Sequence, residues 1–238
     1  MVKLFLTLFI CLGFSMSCAA SSKVYILFGL PGSGKGAFAE ALKERGYIHL
    51  STGNILRDEV KKKTPLGLKY KKEIETASRL LPQSVLKEAI LTKINELVER
   101  KEKFILDGFP KTLEQAKYLD HLLKKHSADH AVHVIYMDIP LNIALERVEN
   151  RRECSMCGKI YNLKTRKPKM ETCDRCGASL IQRICDQEKA FLQRVLLFNK
   201  TIKPLLKYYA SKDILIKMDA HKSLKDFQKD VLDFDERA

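Results

Sequence analysis

The sequence predicts an α/β fold built on a parallel sheet, and two observations support this prediction. Short apolar runs alternate with longer amphipathic segments along most of the chain, which is typical of βαβ units. A glycine-rich turn, GLPGSGKG at 29–36, connects the first apolar run to the first helical segment. The 238 residues are enough for one sizeable core with small inserted lobes.

Five apolar runs predict the strands, at 24–28, 47–50, 104–106, 132–138 and 214–218. Helical patterns lie between and after them, at 37–45, 83–99, 113–125, 141–150, 187–210 and 223–234. Two regions interrupt the alternation and are interpreted as insertions: the lysine-rich, helical 51–81 and the cysteine-containing 151–186. The predicted core therefore comprises 23–50, 82–150 and 187–238.

The turn at 29–36 predicts a phosphate-binding site. A glycine-rich turn between strand and helix directs successive backbone N–H groups toward one point, where phosphate oxygens can bind. Lys35 adds a mobile positive charge. The predicted ligands are Gly32, Ser33, Gly34, Lys35 and Gly36. Gly36 departs from the general P-loop pattern, which has Ser or Thr there. The alternative, a turn without a ligand, is disfavoured by its position between a strand and a helix.

Four cysteines form the pattern C-x2-C-x15-C-x2-C, at Cys154, Cys157, Cys173 and Cys176. Each pair lies on a tight turn, so that four thiolates can converge tetrahedrally on zinc. Four sulfur ligands leave no open position, so this zinc would be structural. Two disulfides are the alternative, which an oxidising compartment would favour.

The net charge of +14 predicts attraction to polyanions, either nucleotide phosphates or nucleic acid. A zinc ribbon that binds nucleic acid through this basic surface is therefore one hypothesis. However, the basic residues spread over helices and loops, and no RNP-like or helix-turn-helix signature accompanies them. Nucleic acid is therefore not the predicted partner.

Taken in order, the turn at 29–36, STG at 51–53, LDGFP at 106–110 and the cysteine cluster resemble adenylate kinases of the bacterial long-lid type. The resemblance covers about residues 24–234. It implies a P-loop NTPase three-layer core with a five-stranded parallel sheet, a nucleoside-monophosphate (NMP) binding lobe at 51–81 and a zinc lid at 151–186. The implied reaction is reversible transfer of the terminal phosphoryl group of ATP to AMP, which gives two ADP.

The resemblance also implies a set of site residues. Catalysis is assigned to Lys35, Arg147, Arg151, Arg183 and Arg194. ATP binding is assigned to residues 32–37, including Ala37, and to Arg147, which is also expected to stack on adenine. AMP binding is assigned to Thr52, Arg57, Leu81, Gly108, Lys111, Gln115, Arg183 and Arg194, with Gln115 reading the adenine. Arg147 and Arg151 are expected on one face of a helix, because they are spaced i and i+4.

The implied cofactors are Mg²⁺, which arrives with ATP, and structural Zn²⁺. Asp107 is expected to hold water around Mg²⁺. The implied partners are ATP and AMP, and the implied state is a monomer without nucleic acid or stable membrane association.

Four residues depart from the family pattern at functional positions. Ala37 lacks a hydroxyl and Asn54 lacks a carboxylate. Lys111 replaces an arginine, which exchanges a bidentate group for a point charge. Cys185 replaces the first of two aspartates, which leaves Asp186 to pair with lid arginines. These changes predict an active enzyme with impaired turnover. The alternatives are a nucleotide-binding relative with weak or no turnover, or a kinase of another nucleoside monophosphate.

The first twenty residues resemble a secretory signal peptide, since Lys3 precedes the apolar run 4–14 and small residues occupy 17–20. The run is too short for an ordinary transmembrane span. Met16 is an alternative start that would remove the segment. Because ATP is scarce outside the cytoplasm, a cytoplasmic location is predicted, with export through residues 1–20 as the alternative.

Overall fold

The computed structural model describes residues 22–77, 79–126 and 130–238. The signal-peptide prediction for residues 1–20 lies outside the described residues. No helix in the described ranges combines the length and the apolar character that crossing a membrane requires.

Eight strands occur in the described residues, in two sheets: β1 Ser22–Gly29, β2 Ile48–Ser51, β3 Phe104–Asp107, β4 His130–Asp138, β5 Arg151–Cys154, β6 Ile160–Asn162, β7 Leu180–Ile181 and β8 Leu215–Asp219. The larger sheet is parallel and five-stranded, in the order β2-β3-β1-β4-β8. All five predicted strands are therefore confirmed, with bounds that differ from the prediction by two residues at most.

Helices cover both faces of the parallel sheet: α1 Lys35–Leu42, α2 Thr52–Lys61, α3 Pro65–Lys69, α4 Lys71–Thr76, α5 Gln83–Leu86, α6 Thr92–Glu99, α7 Leu113–His126, α8 Leu141–Glu149, α9 Glu188–Ala210 and α10 Leu224–Arg237. A π-helical turn, Lys87–Leu91, joins α5 to α6, and 3-10 turns lie at Lys43–Arg45 and Ile184–Asp186. The six predicted helices are present.

The central strand β1 is apolar on both faces, as its position in a three-layer fold requires. Val24 and Ile26 are fully buried in one layer with α6, α7 and the second half of α9. Tyr25 and Leu27 are buried in the other layer with α1, α8 and α10. Because side chains alternate between the faces of a strand, one short segment stabilises both layers.

The C-terminal helix α10 is held to β1 by a buried carboxylate. Asp235 accepts hydrogen bonds from Tyr25 Oη at 2.8 Å, Tyr47 Oη at 2.5 Å and Arg45 Nη1 at 2.9 Å. Burial alone would raise the pKa of Asp235, but the hydrogen bonds from Tyr47, Arg45 and Tyr25 outweigh it and lower the pKa below its ordinary value.

The segment predicted as the lid contains a three-stranded antiparallel sheet in the order β6-β5-β7, which the sequence did not predict. Its own small core consists of Cys154, Tyr161 and Cys173. Two ion pairs connect the lid to the helices of the core. The Arg166 guanidinium donates to both carboxylate oxygens of Glu40 on α1, at 2.7 and 2.8 Å. Lys164 Nζ donates to Glu146 on α8 at 2.7 Å.

Candidate active site

A cavity of about 1050 Å³ lies where the core, the lobe at 51–81 and the lid meet. Phe28 and Asp107 place it at the carboxyl ends of β1 and β3, where ligands bind in open α/β sheets. Most of the predicted site residues line it: Gly32, Gly34, Lys35, Gly36, Ala37, Thr52, Arg57, Leu81, Asp107, Gly108, Lys111, Arg147, Arg151, Arg183 and Arg194. Ser33 and Gln115 are buried and do not line the cavity.

The glycine-rich loop depends on backbone that favours glycine. Gly32 has φ +87°, and a Cβ there would lie 2.5 Å from the carbonyl oxygen of Ala144, so α8 packs directly on the loop. Gly34 has φ +98° and caps α1. Gly36 differs, because its φ is ordinary and a Cβ there would meet no atom within 4 Å. The N–H groups of Ala37 and Phe38 both donate to the Gly34 carbonyl oxygen, at 2.8 and 3.0 Å, so in this first turn the N–H groups of Lys35 and Gly36 are the ones available to an anion.

Lys35 is held across the loop. Its Nζ donates to the carbonyl oxygens of Gly29 and Leu30, both at 3.0 Å, and to Ser33 Oγ at 3.3 Å. Burial lowers the pKa of Lys35 to about 8, and the Asp107 carboxylate opposes this only in part. Ser33 therefore supports the lysine from behind the cavity wall.

Two arginines share one buried carboxylate. Arg151 Nε donates to Asp186 Oδ2 at 2.6 Å, and Arg151 Nη2 donates to Oδ1. Arg194 Nη1 donates to Asp186 Oδ1 at 3.3 Å and to the carbonyl oxygen of Cys185 at 3.1 Å. Asp186 has no solvent exposure, so it fixes both guanidinium groups at the cavity wall. The predicted pairing of Asp186 with lid arginines is present in the structure.

The prediction that Arg151 shares a helix face with Arg147 is wrong. Helix α8 ends at Glu149, and Arg151 begins β5, where it pairs with Asn162 in the lid sheet. The carbonyl of Asn150 accepts from Leu163 N at 2.8 Å, so the backbone joins the lid sheet instead of extending the helix. Both arginines nevertheless line the cavity.

The other two arginines have separate partners. Arg147 Nη1 donates to the carbonyl oxygen of Ala220 at 2.8 Å, and Nη2 donates to that of Lys222 at 3.2 Å. These bonds hold the guanidinium beside the segment that follows β8. Arg183 Nε donates to Glu153 Oε2 on β5.

The opposite end of the cavity is lined by the lobe at 51–81 and by the loop after β3. Burial and the nearby charge of Arg183 together lower the pKa of Arg57 to about 10. Burial also lowers the pKa of Lys111, with Arg194 adding to the effect. Lowered pKa values show that these cations are crowded and poorly solvated, which is the environment that an anionic ligand would relieve.

Asp107 is the carboxylate at the end of β3. Burial raises its pKa, but His49 and Lys35 outweigh burial and lower the pKa to about 2. His49 Nε2 lies 3.6 Å from Asp107 Oδ2. The carboxylate is therefore ionised at neutral pH, which fits a role beside a hydrated Mg²⁺.

Gln115 lies behind the loop at 108–111, in the first turn of α7. Its Oε1 accepts from the backbone N–H of Lys111 at 2.7 Å, and its Nε2 donates to Gln83 Oε1 at 3.2 Å. Its own backbone N–H donates to Thr112 Oγ1 at 3.2 Å. The amide is thus held by residues from two different segments of the chain.

The four lid cysteines fit one zinc ion. Their Sγ atoms all lie within 4.8 Å of one another, with Cys154 and Cys176 at 3.4 Å and Cys157 and Cys173 at 3.6 Å. Four sulfurs at about 2.3 Å from a common ion are separated by about 3.8 Å, which agrees with this arrangement. The cysteines are free thiols, so the alternative of two disulfides is not what the described residues adopt.

Several cavity residues were not predicted from the sequence: Glu40, Lys159, Arg166, Arg175, His221 and Lys222. Glu40 and Arg166 are 126 positions apart in the sequence, and no local pattern indicates their pairing. His221 and Lys222 follow β8 directly, so the rule that ligands bind at carboxyl ends of parallel strands was the available signal.

The chain matches the family model described as adenylate kinase over residues 27–214. It is 38% identical to an adenylate kinase of Petrotoga mobilis over 208 residues, covering 87% of this chain and 94% of the relative. It is also 38% identical to adenylate kinases of Clostridium tetani, covering 83% and 91% of the two chains, and of Methanocella arvoryzae, covering 87% and 95%. Because the family model matches most of the chain and these relatives are 38% identical over more than four fifths of it, this chain belongs to the adenylate kinase family.

Proposed function

We propose that this chain catalyses the reversible reaction ATP + AMP ⇌ 2 ADP. The observation that supports this most directly is the convergence of cations on one cavity from three separate parts of the chain. Lys35 comes from the core loop, Arg57 from the lobe at 51–81, and Arg151 from the lid. Phosphoryl transfer between two nucleotides requires such an arrangement, because little covalent chemistry falls to the protein.

The residues divide into three groups on this proposal. The loop amides and Lys35, with Arg147, hold ATP, and Arg147 stacks on its adenine. Thr52, Arg57, Leu81, Gly108, Lys111 and Gln115 hold AMP. Between them, Arg151, Arg183 and Arg194 neutralise the phosphoryl group in transfer. No general base is needed, since a phosphate oxygen of AMP is itself the nucleophile.

Two metal ions have defined places in the proposal. Mg²⁺ enters with ATP, and Asp107 holds its water shell; the ion supplies charge neutralisation at the phosphates. Zinc is held by Cys154, Cys157, Cys173 and Cys176 and has a structural role.

We expect chelation of zinc from the purified protein to lower the melting temperature and the turnover together. A chain that contains no stoichiometric zinc and is unaffected by chelators would contradict this.

The test of the proposed function is a coupled assay of ADP formation from ATP and AMP. We expect turnover that depends on both nucleotides and Mg²⁺, and tight calorimetric binding of a dinucleotide bisubstrate analogue. Lys35→Met should remove turnover and weaken binding of the analogue. Tight binding without turnover would favour the alternative of a nucleotide-binding relative. Faster phosphorylation of another nucleoside monophosphate would favour a kinase of different acceptor preference.

We further propose that the chain works as a monomer in the cytoplasm, where ATP is abundant and cysteine thiols stay reduced for zinc. Sequencing the N terminus of the native protein tests the location, because a first residue near Ser21 would indicate export. Light scattering with the purified protein measures its mass in solution and so tests the monomeric state.

A further inference from the structure

We propose that the lobe at 51–81 docks reversibly on an anionic phospholipid surface through a cluster of lysines. The cluster lies at 61–72, where every charged side chain is a lysine. All six are exposed, and we call them the lysine surface: Lys61, Lys62, Lys63, Lys69, Lys71 and Lys72. The inference does not depend on the proposed function, because membrane binding is measured without nucleotides.

The nucleotide cavity does not account for these charges. Its wall includes Arg57 and Glu73 from this lobe, but no residue at 58–72 lines it. Among the residues that the structure describes, Lys71 is paired with Glu75 at 4.0 Å, and the other five lysines form no ion pair. Unneutralised positive charge is therefore concentrated on a part of the lobe that is separate from the candidate active site.

The nearest acidic side chains on either side of the cluster have other partners. Glu59 Oε2 accepts from Thr64 Oγ1 at 2.7 Å, within the lobe. Glu73 accepts from the Arg79 guanidinium. The positive potential of the lysine surface is thus only partly compensated by its neighbours in the sequence.

The lysine surface is carried by a tightly packed framework. Helix α3 lies so close to α2 that a Cβ on Gly67 would be 2.1 Å from the carbonyl oxygen of Glu59. Thr64 caps α3, since its Oγ1 accepts from Gly67 N at 3.1 Å. Leu66 packs inward against the small core of the lobe. Because this backbone is already ordered, docking would not have to pay the entropy of ordering it.

An exposed leucine favours a lipid surface over a nucleic acid. Leu68 is 59% exposed and lies between Lys63 and Lys69 in the sequence. A leucine surrounded by lysines can enter the boundary between headgroups and acyl chains, which a nucleic acid does not offer. Nucleic-acid surfaces use arginines and aromatic rings on which bases stack. The segment 61–72 contains no arginine, and its one aromatic ring, Tyr70, has Lys69 Nζ 5.4 Å from its centroid.

The number of lysines fits this partner. Clusters of about four to eight basic residues are typical of segments that bind anionic membranes, and six are present here. Such binding is peripheral and is weakened by salt, because the attraction extends only over a Debye length. The cavity would stay accessible in the docked state, since none of its lining residues belongs to the lysine surface.

The experiment measures cosedimentation of the full chain with phosphatidylcholine vesicles that contain either no anionic lipid or about 30 mol% phosphatidylglycerol. We expect the wild type to bind the anionic vesicles more tightly and to be released from them at about 0.5 M salt. The triple variant K61Q/K62Q/K63Q should bind about a hundredfold more weakly, because each lysine near an anionic surface contributes about fivefold. Leu68→Ser should bind about three- to tenfold more weakly.

The matched control is K117Q/K124Q/K125Q, which removes the same charge from exposed positions on α7. It should bind within about threefold of the wild type, since charges beyond a Debye length from the docked surface are screened. Residues 1–20 are present in every variant, so any contribution of that segment is the same in all. Thermal denaturation checks that the variants fold, and the exposed positions chosen should leave the melting temperature nearly unchanged.

Three results would overturn the inference. The first is a wild type that does not distinguish anionic from neutral vesicles. The second is an equal loss of binding in the α7 control, which would assign the attraction to the net charge of the whole chain. The third is lysine-dependent binding of a single-stranded RNA with no effect of L68S on vesicles, which would make nucleic acid the partner of this surface.

Discussion

Single residues set the electrostatics of the cavity, and Lys35 shows how. Its amine is surrounded by carbonyl oxygens and partly removed from water, so its charge is supported but poorly solvated. The pKa of about 8 is well below the value of 10.5 that an exposed lysine has. The folded protein therefore binds fewer protons than the unfolded chain between these two pH values. Consequently, the cost of burying the charged amine shrinks and the free energy of unfolding rises as the pH increases through this window.

The same lowered pKa predicts proton uptake on ligand binding. A polyphosphate next to Lys35 restores the charged form, so binding of the bisubstrate analogue at pH 9 should take up a proton, whereas binding at pH 6.5 should not. Calorimetry in buffers of different ionisation enthalpy measures this uptake. Lys35→Met should remove the uptake at pH 9. Equal uptake in the variant would assign the proton to another group.

The substitution Lys111→Arg should strengthen the acceptor site. Lysine offers a point charge where arginine offers a bidentate fork for a phosphate. We expect KM for AMP to fall about three- to tenfold in K111R, with little change in KM for ATP, since one additional hydrogen bond contributes about 0.5–1.5 kcal/mol net. Lys111→Met is the control and should raise KM for AMP. An increase of KM in K111R would show that the fork does not fit this loop.

At the scale of elements, the lid is attached to the core by two ion pairs. The pair between Arg166 and Glu40 joins the lid to the helix that begins at the phosphate loop. Both side chains are substantially exposed, so the pair contributes at most about 1 kcal/mol. This is enough to change the balance between open and closed lid by several fold.

We therefore expect Glu40→Gln to raise KM for ATP two- to fivefold at low ionic strength. In 1 M salt the wild type and the variant should converge, because the Debye length falls to about 3 Å. Glu146→Gln, which removes the second lid pair with Lys164, is the matched comparison and should act in the same direction. Steady-state kinetics at the two salt concentrations measure both effects. A difference that persists in high salt would mean that Glu40 acts on the loop itself.

The parallel sheet could be predicted from the sequence because each core strand is a local apolar run. The lid sheet could not, since β5 to β7 are only two to four residues long and β5 pairs with β7 across more than twenty residues of sequence. Arg151 shows the limit of helical spacing: position i+4 predicts a shared face only if the helix continues. The glycine-rich loop and the cluster of four cysteines follow local motifs, so both could be predicted. Tertiary contacts such as Arg166 with Glu40 and Gln83 with Gln115 have no local pattern.

For the whole molecule, the contact between α10 and β1 determines how firmly the last helix is held. Asp235 accepts from two tyrosines and an arginine, and its pKa is lowered. A carboxylate with a lowered folded pKa stabilises the fold above its unfolded pKa. That stability is lost as the pH falls through the folded value.

Asp235→Asn should thus reduce the free energy of unfolding at pH 7 by roughly 2 kcal/mol, the scale of charged hydrogen bonds. The difference from wild type should shrink at pH 3, because the carboxylate in the unfolded chain, whose pKa is about 3.9, is mostly protonated there and the stabilising contribution is being lost. Urea denaturation at the two pH values measures this. Asp233→Asn, on the same helix with a side chain that is not part of this network, is the control. A constant difference at both pH values would contradict the assignment.

Gly36 is a position in the phosphate loop where neither the backbone conformation nor the packing requires glycine. It lies in the first turn of a helix with ordinary backbone angles, and a methyl group there would touch no protein atom. Alanine favours helices over glycine by up to about 1 kcal/mol, so Gly36→Ala should make the empty protein melt at a higher temperature. Ser and Thr, which both carry a Cβ, stand at this place in the general P-loop pattern, so the added methyl group should leave nucleotide affinity within about twofold. A higher melting temperature with unchanged affinity would show that the loop needs glycine at Gly32 and Gly34, where the backbone is left-handed, and not at Gly36.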